Sequence, residues 1–379
     1  MSRSCSKIKC LRLNQQMTKT VVNRKNNQLE ALMSNGTLTI DLDAIKSNWL
    51  ALDKLSADTV ETAAVVKANA YGLGDKQIAT KLATAGVRTF FVASAEEGQS
   101  IREVLGEGPN IFVFSGHMAG KSAILEQNNL IPLLNSPEQN IRHRETIPKH
   151  PFGLQLDTGM NRLGFERADF SEFIELYSEK KPKLIISHLA CADHEDHEQN
   201  ASQLKAFLEM TSGIDCPLSL SATGGILLGE KYHFNLCRPG IGLYGGLPFR
   251  KANSVVKLSL PVIQTRALAP EETVGYGATW IAHRPSLIAT LSAGYADGLI
   301  RAMSGRAVVY AEGEPCPIAG RVSMDLLTVD VTHLTNVPEQ MEILCDLQTI
   351  DQLSDEAGTI GYEILTSLGS RYQRYYTEL

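Results

Sequence analysis

No stretch of this chain stays apolar for the roughly 18 residues that a membrane-spanning helix needs, which excludes a helical membrane protein. No Cys-x-x-Cys pair occurs among the seven cysteines, Cys5, Cys10, Cys191, Cys216, Cys237, Cys316 and Cys345. Their number is odd and their spacing scattered, so reduced thiols in a cytoplasmic protein are expected. Basic residues are not in excess. With 36 Lys and Arg against 42 Asp and Glu the net charge is -6, which leaves no positive field for nucleic acid. Internal repeats and low-complexity tracts are missing as well.

What is present fits a globular chain. The 379 residues are 43% hydrophobic and 21% charged, enough for two domains and at least one large core. From Met1 to Gln28 every charged residue is basic: Arg3, Lys7, Lys9, Arg12, Lys19, Arg24 and Lys25. That segment has no continuous apolar core of the secretory type. Residues 1–36 are expected to be a disordered extension, or an over-called start with Met17 as the alternative, because termini tolerate such additions.

From about residue 38 short apolar runs alternate with longer helical patterns. Eight candidate strands follow: Thr62–Ala68, Arg88–Ala93, Asn110–Ser115, Leu130–Leu134, Phe152–Asp157, Lys183–Leu189, Pro217–Ala222 and Phe234–Arg238. Helical stretches such as Gly74–Ala85, Ala95–Leu105, Ser136–Ile147 and Ala168–Lys180 lie between them. The alternation predicts βα units and a parallel sheet. Eight units across residues 37–259 predict a (β/α)8 TIM-type barrel, with a doubly wound open sheet as the alternative. After about Ser259 the texture changes. Pro261–Ala267, Leu287–Ser292, Ala307–Ala311 and Leu326–Val331 read as strands parted by Gly and Pro, with no long amphipathic helix. Residues 260–379 are therefore expected to form a mainly β C-terminal domain.

Lys67 ends an otherwise apolar strand, and the turn-like Asn69-Ala70-Tyr71-Gly72-Leu73-Gly74 follows it. A lysine there either snorkels to solvent or sits partly desolvated, with a lowered pKa, as a nucleophile toward aldehydes. Barrel active sites lie at the C-terminal ends of the strands, and this favours the second reading. Arg162, His188, Thr223-Gly224-Gly225 and Arg238-Pro239-Gly240-Ile241 follow the fifth to eighth strands. The last two loops suit a phosphate, since glycines let backbone N–H groups approach an anion. Gly240-Ile241-Gly242-Leu243-Tyr244-Gly245 spells G-x-G-x-x-G, but it sits late in the alternation and opens no convincing helix, so no dinucleotide site is expected. His194 and His197 stand three apart among carboxylates, yet without a partner cluster they read as a solvated loop rather than a metal site.

Taken together, these segments resemble alanine racemase of the pyridoxal-phosphate (PLP) fold-type III group, from about Thr37 to Tyr376. Val65-Val66-Lys67-Ala68-Asn69-Ala70-Tyr71-Gly72 resembles the family's cofactor-lysine segment. Val274-Gly275-Tyr276-Gly277-Ala278-Thr279, Gly294-Tyr295-Ala296-Asp297-Gly298 and Gly320-Arg321-Val322-Ser323-Met324-Asp325 resemble three more. The resemblance implies that Lys67 carries PLP as an internal aldimine. It places Tyr71, Thr223, Gly240, Ile241 and Tyr362 around the phosphate, Arg238 at the pyridine nitrogen, and Arg162 by the phenolic oxygen and the substrate carboxylate. The Met324 N–H also meets that carboxylate, and His188 supports Tyr276. Tyr276, Tyr295, Arg301, Arg321 and Met324 come from the second subunit of a head-to-tail homodimer, with Tyr295, Arg301 and Arg321 at the active-site entrance.

The implied reaction is a two-base interconversion of L- and D-alanine through an external aldimine, supplying D-alanine for peptidoglycan. Lys67 and Tyr276 serve opposite faces, and each needs a tuned pKa. Arginine at the ring nitrogen can only donate, which implies short-lived carbanions and little transamination. Gln155 stands where some members carry a carbamylated lysine, and Thr223 where serine is usual. A broad-specificity racemase acting on serine is the nearest alternative. A decarboxylase or a PLP carrier on the same barrel is more distant, because neither needs Tyr276.

Overall fold

The computed structural model describes residues 36–176 and 181–378. The expected extension and the end of the predicted Ala168–Lys180 helix lie outside them. The chain divides into two compact units.

Strand β1 (Thr37–Asp41) opens the described chain, and the division between the units falls inside it, after Thr39. The first unit then runs from Ile40 to Val255 and takes back Ile360–Thr366 and the last residues from Tyr376. It contains β2 (Glu61–Thr62), β3 (Ala64–Val65), β4 (Thr89–Val92), β5 (Asn110–Val113), β6 (Ile131–Leu134), β7 (Gly153–Gln155), β8 (Ile185–Ile186), β9 (Leu218–Ser219) and β10 (Leu236–Cys237). Strands β3 to β9 pair in sequence order, all parallel. The ring closes through β10. On one side of β10 the flanking Asn235 and Arg238 N–H groups donate to the Leu218 and Ser221 carbonyls, and on the other the Cys237 and Pro239 carbonyls accept the Ala63 and Val65 N–H groups. β2 also pairs with β10 in parallel. With β2 and β3 taken as one strand broken at Ala63, the eight expected strands form a closed barrel.

Their composition explains this. Residues of β4 and β6 are buried on both faces, as a strand between barrel interior and helices must be. Phe90, Phe91, Leu133, Leu154, Ile185 and Leu220 are among the fully buried side chains. Helices Ala95–Leu105 and Pro137–Thr146 start at Ser94 and Ser136, whose hydroxyls accept N–H bonds from the first turn. Several paired strands are shorter than the apolar runs that encode them, because strand tilt limits how many residues align across a barrel.

The second unit holds Val256–Thr359, Ser367–Tyr375 and the described residues up to Thr39. Its strands are β11 (Val256–Leu268), β12 (Thr273–Val274), β13 (Trp280–Ile281), β14 (Ser286–Leu291), β15 (Val308–Ala311), β16 (Glu314–Pro317), β17 (Leu327–Asp330), β18 (Gln340–Leu344) and β19 (Gln373–Thr377). The main sheet runs β16-β15-β18-β11-β1-β19, with β14 bridging β11 and β17. Alternating burial in β15 and β17 marks a sheet with one covered face. This is the expected β-rich domain, punctuated by the short helix Ile350–Ala357, while the next helix, Gly361–Ser367, falls almost wholly in the segment that returns to the barrel unit. β1 precedes the barrel in sequence but takes part in this sheet, while Ile360–Thr366 groups with the barrel.

Candidate active site

The barrel unit contains a cavity of about 590 Å³, within the range of small-molecule sites. All nine residues expected there line it: Lys67, Tyr71, Arg162, His188, Thr223, Arg238, Gly240, Ile241 and Tyr362. Eight come from loops after barrel strands. Tyr362 comes from the segment that returns to this unit.

Lys67 is the one lysine among the lining residues, and its ammonium lies 5.6 Å from the Phe114 ring centroid. Burial and the Arg162 charge lower its pKa, and the Glu97 carboxylate opposes them. The chain turns in an unusual way after it. Ala68, Asn69, Ala70 and Tyr71 all have φ between 50° and 57°, a left-handed turn of four residues that bear side chains. Such a conformation costs roughly 1–2 kcal/mol per residue, so its surroundings must hold it. The Ala70 and Gly72 N–H groups bond Val66 and Ala68 carbonyls at 2.9 and 2.8 Å. Asn69 Oδ1 accepts the Asp75 N–H at 2.9 Å, and Glu97 Oε1 accepts the Ala68 N–H at 2.9 Å.

The turn brings Tyr71 into the cavity beside Gly240. Its ring packs on Tyr244 at 4.5 Å and Tyr362 at 5.9 Å. Burial pushes its phenol pKa well up, so it remains a donor. Thr223 Oγ1 accepts the Gly240 and Gly242 N–H groups at 3.1 and 3.2 Å, which leaves its own proton to donate. At Gly240 a Cβ would collide with Tyr71 Oη, so only glycine leaves the backbone this close to the hydroxyl.

Arg238 is fully buried. Its Nη1 donates to Ser219 Oγ, and its Nη2 to the Ser187 carbonyl at 2.6 Å. Ser219 Oγ in turn donates to the Leu236 carbonyl. Burial lowers the guanidinium to about 10, so it stays cationic at neutral pH. Burial and the Arg238, Arg162 and Lys67 charges push His188 down to about 3, which leaves a neutral imidazole. Asp157 shapes the loop that delivers Arg162: its Oδ1 accepts the N–H groups of Gly159, Met160 and Asn161 at 2.8, 3.0 and 3.1 Å. Gln155 donates to the Leu163 carbonyl at 3.1 Å, so its amide oxygen is the end left to accept.

Sequence reading did not single out Ser187, Ser219, Asp157 or Glu97. Only the clusters around Arg238 and Arg162 and the turn after Lys67 give them meaning; the one available signal was a polar residue inside an apolar strand at Ser187 and Ser219.

Tyr276, Tyr295, Arg301, Arg321 and Met324 belong to the β-rich unit, and none lines the barrel cavity. The structure brings their loops together. The Tyr295 and Ala296 N–H groups bond Ser323 and Met324 carbonyls at 3.0 and 2.9 Å, and a Cβ on Gly277 would lie 3.4 Å from Arg321 Nη1. Ser304, at the end of the Arg301 turn, accepts the Val322 N–H at 2.9 Å. Arg371 pairs with buried Asp297 through two bonds of 2.6 and 2.7 Å and with Asp325 at 2.8 Å, tying both loops. The side chains themselves are exposed: Tyr276 by 73%, Met324 by 54% and Tyr295 by 44%.

Two further segments singled out in the sequence take definite local form. Gly240–Gly245 enters a 3-10 turn, Ile241–Tyr244, and not the α-helix that a dinucleotide fingerprint opens. His197 caps helix Glu198–Met210 by accepting the Gln199 N–H at 3.1 Å. Among the described residues no group of three His, Cys, Asp or Glu side chains is arranged to hold a metal.

The cavity suits pyridoxal phosphate by its donor set: hydroxyls of Thr223, Tyr71 and Tyr362 beside a backbone bared at Gly240, one amine of lowered pKa, and two guanidinium groups.

Comparison with known proteins agrees. A family model described as "Alanine racemase, N-terminal domain" matches residues 40–248, and one described as "Alanine racemase, C-terminal domain" matches residues 255–376. The chain is 59% identical over 344 residues to an alanine racemase of Dinoroseobacter shibae, covering 91% of this chain and 99% of that one. It is 58% identical over 347 residues to an alanine racemase of Cereibacter sphaeroides, covering 92% and 99%. Among solved structures, alanine racemase from Bartonella henselae with covalently bound pyridoxal phosphate is 38% identical, with a TM-score of 0.86 over 91% of this chain and 100% of that one. The biosynthetic alanine racemase of Pseudomonas aeruginosa is 33% identical, with a TM-score of 0.85 over the same shares.

Proposed function

The chain belongs to the alanine racemase family, and we propose that it interconverts L- and D-alanine at the mouth of its barrel, with pyridoxal phosphate as cofactor, and so supplies D-alanine for peptidoglycan. The observation that carries this reading is a single amine, Lys67, sharing one cavity with phosphate donors and a buried arginine. The cofactor supplies an aldehyde for the Lys67 amine and an electron sink for the substrate's α-carbon.

The chain's own groups do the rest. Tyr71, Thr223, Tyr362 and the Gly240–Ile241 backbone hold the phosphate. Arg238, pinned by Ser219 and Ser187, would meet the ring nitrogen of the bound cofactor and could only donate to it. Arg162 takes the substrate carboxylate. The lowered pKa of Lys67 leaves more of its amine neutral at working pH, able to accept the α-proton on one face. Tyr276 serves the other face, supported by His188, and the Met324 N–H meets the carboxylate. The loops of Tyr276, Tyr295, Arg321 and Met324 form one exposed surface of the β-rich unit, which suits a homodimer in which the partner subunit completes each site. Tyr295, Arg301 and Arg321 then frame the entrance.

Among the described residues no helix is long and apolar enough to cross a membrane. The described cysteines, Cys191, Cys216, Cys237, Cys316 and Cys345, are all free, which fits a cytoplasmic enzyme.

Lys67→Ala tests the reading. It is expected to abolish both turnover and the absorbance band of protein-bound cofactor. An unchanged band means that another amine carries the cofactor.

A further inference from the structure

Glu97 is the third residue of helix Ala95–Leu105, whose N-cap is Ser94. In a capping box the side chain at this place turns back to the N-cap N–H. Here the carboxylate reaches elsewhere. Oε2 accepts the Ala93 N–H at 2.7 Å, just past the end of β4, and Oε1 accepts the Ala68 N–H at 2.9 Å, just past Lys67. One carboxylate thus bridges the ends of two adjacent barrel strands. It grips the first residue of the left-handed turn, the part of the chain whose backbone is least able to hold itself.

We propose that Glu97 is the positioning residue of this turn: its two hydrogen bonds keep Lys67 and Tyr71 aimed together into the cavity. The proposal rests on the reading of Lys67 given above. Glu97 does not line the cavity, so it acts through the turn and not on substrate. Its negative charge also works against the burial and the Arg162 charge that act on the Lys67 amine, so geometry and charge at the cofactor lysine depend on one side chain.

Glutamine at this position presents an NH₂ group to one of two N–H donors, so only one bond survives and the charge is lost. In Glu97→Gln, hydrogen exchange of the amides in residues 66–75 is expected to rise about tenfold or more, in cofactor-free and cofactor-loaded protein alike, as a charged acceptor is removed. Amides of β5 to β8 are expected to keep their rates. The bound-cofactor absorbance is retained, and kcat falls at least about tenfold with a smaller change in KM, as a misaimed group predicts.

Wild-type exchange in 66–75 together with kcat within twofold of wild type would overturn the proposal. So would a uniform rise in exchange across the barrel, which marks a merely structural role. If the glutamine variant does not fold, Glu97→Asp keeps the charge on a shorter arm that cannot span both N–H groups; the same local rise supports the proposal and unchanged exchange refutes it. Lys67→Ala separates the two ideas. If that variant keeps the cofactor band, the reading of the site fails; if it loses the band while Glu97→Gln behaves as wild type, only the role of Glu97 fails.

Discussion

Replacing Gly240 by alanine probes the proposed phosphate cradle where Tyr71 Oη approaches the backbone. The backbone φ of Gly240 is -123°, outside the left-handed region, so the methyl group itself is the perturbation. Built in place, it collides with Tyr71 Oη and lies 3.2 Å from Tyr71 Cζ and 3.6 Å from Val65 Cβ. Tyr71 has little room to yield, because its ring is packed against Tyr244 at 4.5 Å and Tyr362 at 5.9 Å. Overpacking of this kind costs about 1–3 kcal/mol. Expressed in cofactor binding, that is about a 5- to 150-fold weaker Kd. The attribution to Tyr71 is testable by a double mutant. Tyr71→Phe removes the colliding oxygen at the cost of one phosphate hydrogen bond, about 0.5–1.5 kcal/mol. Gly240→Ala is then expected to cost at least about 1 kcal/mol less in the Tyr71→Phe background than in wild type. The relief is partial, since the ring carbon at 3.2 Å remains. Titration of cofactor-free protein with pyridoxal phosphate, followed by absorbance, reads the coupling, and thermal unfolding gives an independent value. Equal losses in both backgrounds would show that the methyl group acts elsewhere.

Tyr276→Phe is expected to leave cofactor absorbance intact while slowing α-proton removal from L-alanine by about 10²- to 10⁴-fold; near-normal proton exchange in deuterated water in both directions would remove Tyr276 from the chemistry. Acid is expected to destabilise the barrel through His117, which is buried against His143, bonded to Ser122 at 2.9 Å, and held down to about 4 by burial, Arg142 and His150. Above pH 6.5 it is neutral folded or unfolded. Between 6.5 and 4 the unfolded chain binds a proton that the folded chain refuses, so stability falls as pH falls and levels below 4. Urea unfolding across this range should show the slope, and His117→Gln should reduce it, leaving the part that His188 carries in the same way; an equal slope in the variant would assign the whole loss to other groups.

Most of the barrel could be read in the chain because its strands are apolar on both faces, as in Thr89–Val92 and Ile131–Leu134. Lys67 stood out because a charge ended such a run. Tyr362 and the loops of the β-rich unit came only from family resemblance, since no local pattern marks a residue that returns to a distant unit. The left-handed turn was invisible for a different reason: Ala68-Asn69-Ala70-Tyr71 contains no glycine, and its conformation is imposed by bonds from Glu97, Asn69 and neighbouring carbonyls. Ser187, Ser219, Asp157 and Glu97 were hidden likewise, because an acceptor acquires a role only when the tertiary fold supplies its donor. The placement of β1 was equally illegible. Thr37-Leu38-Thr39-Ile40-Asp41 alternates like any half-buried strand, and nothing in it names its neighbours.

That strand also sets a timetable for synthesis. β1 leaves the ribosome early, yet the strands on its two sides, Val256–Leu268 and Gln373–Thr377, are made much later. The nascent chain must therefore carry an edge-competent strand unpaired through translation of the whole barrel. Its sheet is complete only once the polypeptide is nearly finished, and a ribosome stalled before Gln373 leaves β1 as an uncovered edge open to other chains.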